Sequence, residues 1–315
     1  MAKESNGIRS HVRVLVVGLG VQGKKRIKLL GEKFFASVDP NSDDSNYNDI
    51  SAVPVADFDA AFLCVPDDQK INLIEYCILH KKHILVEKPL LPFSSTVLSK
   101  IQDQAISAKI FLYTAYNHRF EPHFNTVRNM ILQKEIGRLY SIRMFYGNGT
   151  SKLVKESKWR DYGLGVITDL APHLLDTLIF WFNPIKLTNL YVRTYTHETN
   201  SPDHAIILGN INNIALSLEM TMSMWKNSFF CDIIGELGSI HITSLCKWGP
   251  AVLTIRKRVF PSGIPSESVQ EIEVPDPTWR LEHEYFFDNI EKGFATDLSN
   301  DIWIANFFQE IENLC

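Results

Sequence analysis

The order of apolar and polar positions divides the chain into two regimes. Residues 12–17 form a β-branched and aliphatic run that stops at Gly18, as a strand buried on both faces of a parallel sheet does. Residues 24–30 mix charged and apolar positions at helical spacing, and a second apolar run, 34–38, stops at Asp39-Pro40. Strand, glycine turn, helix and strand make one βαβ unit. The alternation continues with strands expected at 60–65, 83–86 and 110–115 and helices at 69–80 and 94–108, which predicts a doubly wound parallel sheet. Between Asp39 and Asp59 only a polar stretch, 41–49, and a short 52–56 segment remain, too little for a full crossover. This half of the sheet is expected to be abbreviated.

After Phe120 the grammar changes. Residues 124–134 read as a helix, 138–147 as a strand and 170–182 as a long apolar helix. Strand-like runs follow at 189–197, 205–208, 214–221, 229–233, 239–243, 251–258 and 269–274, separated by turns such as Asn200-Ser-Pro-Asp. They predict an antiparallel sheet, and the tail (279–292, 300–313) reads as helical. The fold class expected is α/β: an N-terminal Rossmann doubly wound parallel sheet over 1–118, then a C-terminal α+β domain with a large mostly antiparallel sheet over 119–315.

A chain of 315 residues is long enough for about two domains. With 45% hydrophobic and 22% charged residues, a net charge of -4 and no basic run, it reads as a soluble globular protein with no nucleic-acid partner. The polar start lacks the apolar core of a secretory signal, and the greasiest stretch, 174–182, is interrupted by Asp176 and Thr177, so no membrane partner is expected. Five cysteines without a C-x-x-C pair fit reduced thiols in a cytoplasmic protein and offer no metal site.

Three motifs carry candidate chemistry. Gly18-Leu-Gly20-Val-Gln-Gly23 matches G-x-G-x-x-G between an expected strand and helix. In that context Gly18 permits the turn, Gly20 lets the backbone approach a pyrophosphate, Gly23 allows close packing, and the helix N-terminus at Val21 and Gln22 offers N–H groups to phosphate. Asp39 stands 21 positions after Gly18, where a carboxylate accepts ribose hydroxyls and repels a 2′-phosphate; NAD is favoured over NADP. Glu87-Lys88-Pro89 follows the 83–86 strand, at the end where open α/β sheets bind ligands. Asp169 and His173 are i and i+4 on one helix face, with Pro172 expected in the first turn and Asp176 placed to orient the histidine. A histidine and a carboxylate there can remove a hydroxyl proton while hydride leaves the same carbon.

The order of these motifs, with Asn117-His-Arg119 at the domain change, resembles the Gfo/Idh/MocA family, the relatives of glucose–fructose oxidoreductase and inositol dehydrogenase. The resemblance implies a Rossmann domain followed by an α/β domain whose open sheet serves in oligomer contacts, hence a homodimer or homotetramer. It makes Lys88, Asp169 and His173 catalytic, with His173 the proton acceptor and the Lys88–Pro89 bond cis. It adds Pro66, Glu87, Lys88 and Asn117 to the cofactor site. Arg119, Trp159 and Arg160 join Lys88, Asp169 and His173 at a substrate read as a sugar, cyclitol or nucleotide sugar. The sequence departs from the pattern at Val65-Pro66, where Lys70 replaces a histidine, in the short 41–57 region, and at Gly163-Leu-Gly165-Val. The family includes a corepressor, so a non-catalytic NAD(P)-binding regulator is the alternative.

Overall fold

The computed structural model describes residues 12–90, 93–157 and 160–314. They form two compact units: one holds the chain up to Ala115 together with Glu282–Ile302, the other Tyr116–Leu281 and the chain from Trp303 onward.

In the first unit β1 (Val14–Val17), β2 (Phe34–Val38), β3 (Ala60–Leu63), β4 (His83–Glu87) and β5 (Leu112–Ala115) form one parallel sheet in the order β2-β1-β3-β4-β5. Every residue of β1 and β3 is buried, which is why these strands read as unbroken apolar runs. Helices α1 (Val21–Leu30), α2 (Asp67–Leu79) and α3 (Ser95–Ser107) make the crossovers. After β2 the chain takes two single 3₁₀ turns, Ile50–Ala52 and Val55–Asp57, instead of a helix and strand, so β2 is an edge strand as the shortness of that region requires. Phe62 of β3 packs against Phe286 and Phe287 of the returning segment, with ring centroids 5.3 and 6.2 Å apart.

The second unit is built on an eight-stranded sheet: β6 (Leu139–Gly147), β7 (Leu187–Tyr195), β8 (His204–Ile211), β9 (Ile214–Thr221), β10 (Ser228–Gly235), β11 (Gly238–Thr243), β12 (Ala251–Lys257) and β13 (Ser266–Ile272). Its order is β13-β12-β11-β10-β6-β9-β8-β7, antiparallel throughout except for the β6–β9 pair. The helices are α4 (Pro122–Leu132), α5 (Ser151–Lys155) and α6 (Val166–Phe182), while α7 (Thr278–Lys292) and α8 (Ser299–Glu312) carry the chain into and out of the first unit.

Helix α6 begins four residues before the expected 170. Gly165 caps it at φ 52, where an added Cβ would meet the Pro202 carbonyl oxygen at 2.2 Å, and Val166 N donates to that carbonyl at 2.8 Å. Pro172 therefore lies inside the helix and not in its first turn, leaving the Thr168 carbonyl without the helical N–H that position 172 would supply. No helix among the described residues is long and apolar enough to cross a membrane.

Candidate functional site

In a parallel sheet the carboxyl ends of all strands share one edge, and this geometry collects Gly18, Asp39, Pro66, Glu87 and Lys88 within the first unit. The three glycines are not equivalent. A Cβ on Gly18 (φ +94) would meet the Cys64 carbonyl oxygen at 2.4 Å, and one on Gly23 would meet the Gly18 carbonyl oxygen at 1.9 Å. A Cβ on Gly20 would meet nothing within 4 Å. Gly18 and Gly23 are thus demanded by packing, whereas Gly20 faces open space. Gly20 is the N-cap of α1 and supplies no side-chain cap; Val21 and Gln22 are exposed, and no acidic residue lies in the first turn. That helix start is suited to an anion. Asp39 borders it: Oδ2 accepts the Leu19 N–H at 2.7 Å and Oδ1 that of Asn41 at 2.8 Å, with the carboxylate half-buried.

The Lys88–Pro89 bond is cis, and Lys88 is half-buried. Two buried cations brace this turn. Lys70 pairs with Asp67 at 2.6 Å and donates to the Pro89 carbonyl at 2.7 Å, so the residue in the family's histidine position ties α2 to the Lys88–Pro89 turn. Arg26 of α1 has no exposed surface. Its Nε donates to Glu87 Oε1 at 2.7 Å, one terminal nitrogen donates to Glu282 Oε2 at 2.9 Å, and the other lies 3.0 Å from His283 Nε2. A guanidinium only donates, so His283 accepts and is neutral. Burial and the adjacent Arg26 charge push the His283 imidazole down to about 3. Sequence reasoning missed Arg26, Glu282 and His283. The signal for Arg26 was a charge sharing the sheet-facing stripe of α1 with Leu30.

In the second unit α6 presents Asp169 and His173. Asp169 accepts from an Arg160 terminal nitrogen at 2.8 Å, which joins two of the expected substrate residues in an ion pair. Trp159 lies outside the described residues. Asp176, expected to orient His173, is fully buried and holds Arg119, whose Nε donates to both carboxylate oxygens at 3.0 and 2.8 Å while a terminal nitrogen donates to Oδ1. Asn117 donates to the Thr278 hydroxyl at 2.9 Å. The residue between Asn117 and Arg119 was given no role, yet His118 stacks on His173 with centroids 4.1 Å apart and planes 19° from parallel. Tyr146 of β6 lies 5.8 Å from the His173 ring, and Lys247 reaches both His118 and Tyr146. Neither Tyr146 nor Lys247 carried a motif.

A parallel sheet in the order β2-β1-β3-β4-β5, with a glycine turn that opens a helix after β1, is the architecture of doubly wound nucleotide-binding folds. Residues 124–241 match the family model described as GFO/IDH/MocA C-terminal domain. A trans-1,2-dihydrobenzene-1,2-diol dehydrogenase of Xenopus laevis is 23% identical over 70% of this chain; the match spans 65% of that protein's length. Among solved structures, a putative NADPH-dependent oxidoreductase from Desulfitobacterium hafniense superposes with a TM-score of 0.80 at 20% identity, covering 94% of this chain and 92% of its own. A levoglucosan dehydrogenase in complex with NADH gives 0.81 at 16% identity, covering 96% and 95%. These findings bear out the resemblance to the Gfo/Idh/MocA family read from the motifs, and the stretch that matches the family's C-terminal domain lies within the second unit.

Proposed function

We propose that the chain is an NAD(H)-dependent dehydrogenase that moves hydride between nicotinamide and a hydroxyl or keto carbon of a sugar-like substrate. The observation that carries this reading is the open space at Gly20, beside an uncapped helix start and the half-buried Asp39 carboxylate. These residues fit a dinucleotide: backbone at Gly18, Gly20, Val21, Gln22 and Gly23 for the pyrophosphate, Asp39 for the ribose hydroxyls. Bound NAD supplies the hydride acceptor. The named neighbours include both an NADPH-dependent protein and an NADH complex, so the preference for NAD rests on the Asp39 charge.

His173 is proposed to take the hydroxyl proton, with Lys88 and Asp169 polarising and orienting the oxygen. Relatives named as dehydrogenases of a dihydrodiol and of glucose 6-phosphate support the reaction class. The four described cysteines are free, which supports a reducing, cytoplasmic setting. Assembly into two or four copies is part of the proposal. One sheet face runs in register through Tyr191, Leu208, Ser217, Arg143, Asp232, His241, Thr254 and Val269, and its exposed apolar members ask for cover. A strictly monomeric particle in light scattering would remove that part.

The test is titration with NADH and NADPH, followed by nicotinamide fluorescence in wild type and Asp39→Ala, then turnover on a panel of sugars and sugar nucleotides. NADH should bind more tightly than NADPH, and Asp39→Ala should erase the difference. Lys88→Ala and His173→Ala should each lose about 10²–10⁴ in kcat, and His173→Ala should keep NADH binding. NADH binding with no turnover on any substrate would put the regulator reading ahead of the enzyme.

A further inference from the structure

The stack of His118 on His173 has a second layer. Lys247, in the 3₁₀ turn Cys246–Trp248 after β11, places Nζ 3.2 Å from His118 Nε2 and 3.0 Å from the Tyr146 hydroxyl, with its charge 4.5 Å from the Trp248 ring centroid. An ammonium has only hydrogens to offer, so His118 Nε2 accepts and its neutral ring carries the hydrogen on Nδ1. The whole group belongs to the second unit: His118 from the turn Asn117–Phe120, Tyr146 from β6, His173 from α6 and Lys247 from the loop after β11.

We propose that Lys247 is a positioning residue for the candidate proton acceptor: it locks His118 in its neutral Nδ1–H form and so keeps the ring stacked on His173 from taking a proton of its own. The inference rests on the role given to His173. Two imidazoles 4.1 Å apart resist carrying charge together, so whichever protonates first blocks the other. A proton arriving at His118 Nε2 would have to displace the Lys247 ammonium and then sit beside it. The first proton is therefore directed to His173.

The surrounding charges keep this arrangement in balance. Glu121, at the start of α4, accepts the Cys246 backbone N–H on Oε2 at 3.2 Å, and burial pushes its carboxyl up. Burial lowers the Lys247 ammonium to about 8, opposed by Glu121 and Asp276. The buried Cys246 thiol is pushed up to about 12, so it stays neutral. On the His173 side, Asp169 is matched by Arg160 and Asp176 by Arg119. Below about pH 8 Lys247 faces His118 Nε2 as an ammonium.

The experiment is nitrogen-15 NMR of histidine-labelled protein without substrate, in wild type, Lys247→Met and Lys247→Arg, with His118→Gln and His173→Gln used for assignment. In wild type at pH 6.5 His118 should show a bare Nε2, a single tautomer, and no titration near the ordinary histidine value of about 6.5. In Lys247→Met it should become a tautomer mixture that titrates near that value, and Lys247→Arg should restore the wild-type pattern. The acid limb of kcat/KM should then move in Lys247→Met, where His118 competes with His173 for the one proton the stack can hold, and stay at its wild-type position in Lys247→Arg, with NADH affinity unchanged. Should Lys247→Met fail to fold, titrating wild type upward converts the Lys247 ammonium to an amine that can accept as well as donate, and the His118 Nε2 signal should move with that titration. A hydrogen on His118 Nε2 in wild type, or a His118 that behaves identically in all three proteins, would overturn the proposal. Because the ring titration needs no substrate, absence of turnover with the lock intact would count against the dehydrogenase reading and not against the Lys247–His118 pairing.

Discussion

Arg26 shows how far one side chain can organise a site it does not enter. It has no exposed surface, and two carboxylates and a neutral imidazole converge on it, one of them the Glu87 that precedes Lys88. This arrangement makes stability depend on pH through His283. The folded ring takes a proton only near pH 3, whereas an unfolded histidine does so near 6.5. Between those values the unfolded chain holds the extra proton, so this contribution is complete above about pH 7 and is lost as pH falls. The slope is about 1.4 kcal/mol per pH unit, or about 2 kcal/mol between pH 6.5 and 5. Denaturant unfolding of wild type and His283→Gln across pH 5–8 should show wild type losing ground steadily below 6.5; parallel curves would contradict the neutral, accepting ring. At this scale the sequence was only partly legible. Residues inside motifs (Gly18, Asp39, Lys88, Asp169, His173) could be named because their chemistry needs a fixed spacing. Arg26, His118 and Lys247 could not, because their partners lie far along the chain and local spacing carries no trace of them.

The glycine turn and the helices around it test what an element needs from its residues. Gly23→Ala forces a Cβ into the Gly18 carbonyl and should cost several kcal/mol, read as a lower midpoint in denaturant. Gly20→Ala meets nothing within 4 Å and has φ -65, which alanine adopts freely, so its stability should stay within about 0.5 kcal/mol of wild type. If the turn serves a pyrophosphate, that same variant should lose NADH affinity by tenfold or more. Unchanged affinity would mean the motif is a packing device here. Most elements were legible because burial on one or both faces leaves a period of two or an unbroken run. The start of α6 was not, since it is set by Gly165 abutting the Pro202 carbonyl, a contact 37 positions away in sequence. Once the helix begins at Val166, Pro172 must be accommodated inside it.

On the scale of the whole molecule, the first unit is not a continuous stretch of chain. Its core needs Phe286, packed on Phe62 and Phe111, and its buried cation needs Glu282 and His283. A fragment of residues 1–115 should therefore lack a cooperative unfolding transition, and linking residues 282–302 to its end should restore one, as followed by circular dichroism. A sharp transition in the short fragment would show that the returning segment is dispensable. The alternation of strands and helices gives no hint of this return, because a helix that leaves one unit for another has the same amphipathic period as one that stays. The return also sets a schedule during synthesis. Some 190 residues must follow Ala115 before Ile302 leaves the ribosome, on the order of ten to forty seconds at about 5–20 residues per second. For that interval the first part to be made waits with Arg26 lacking Glu282 and His283 and with the Phe62 face bare, so the earliest segment of the chain is the one most exposed to chaperones and proteases.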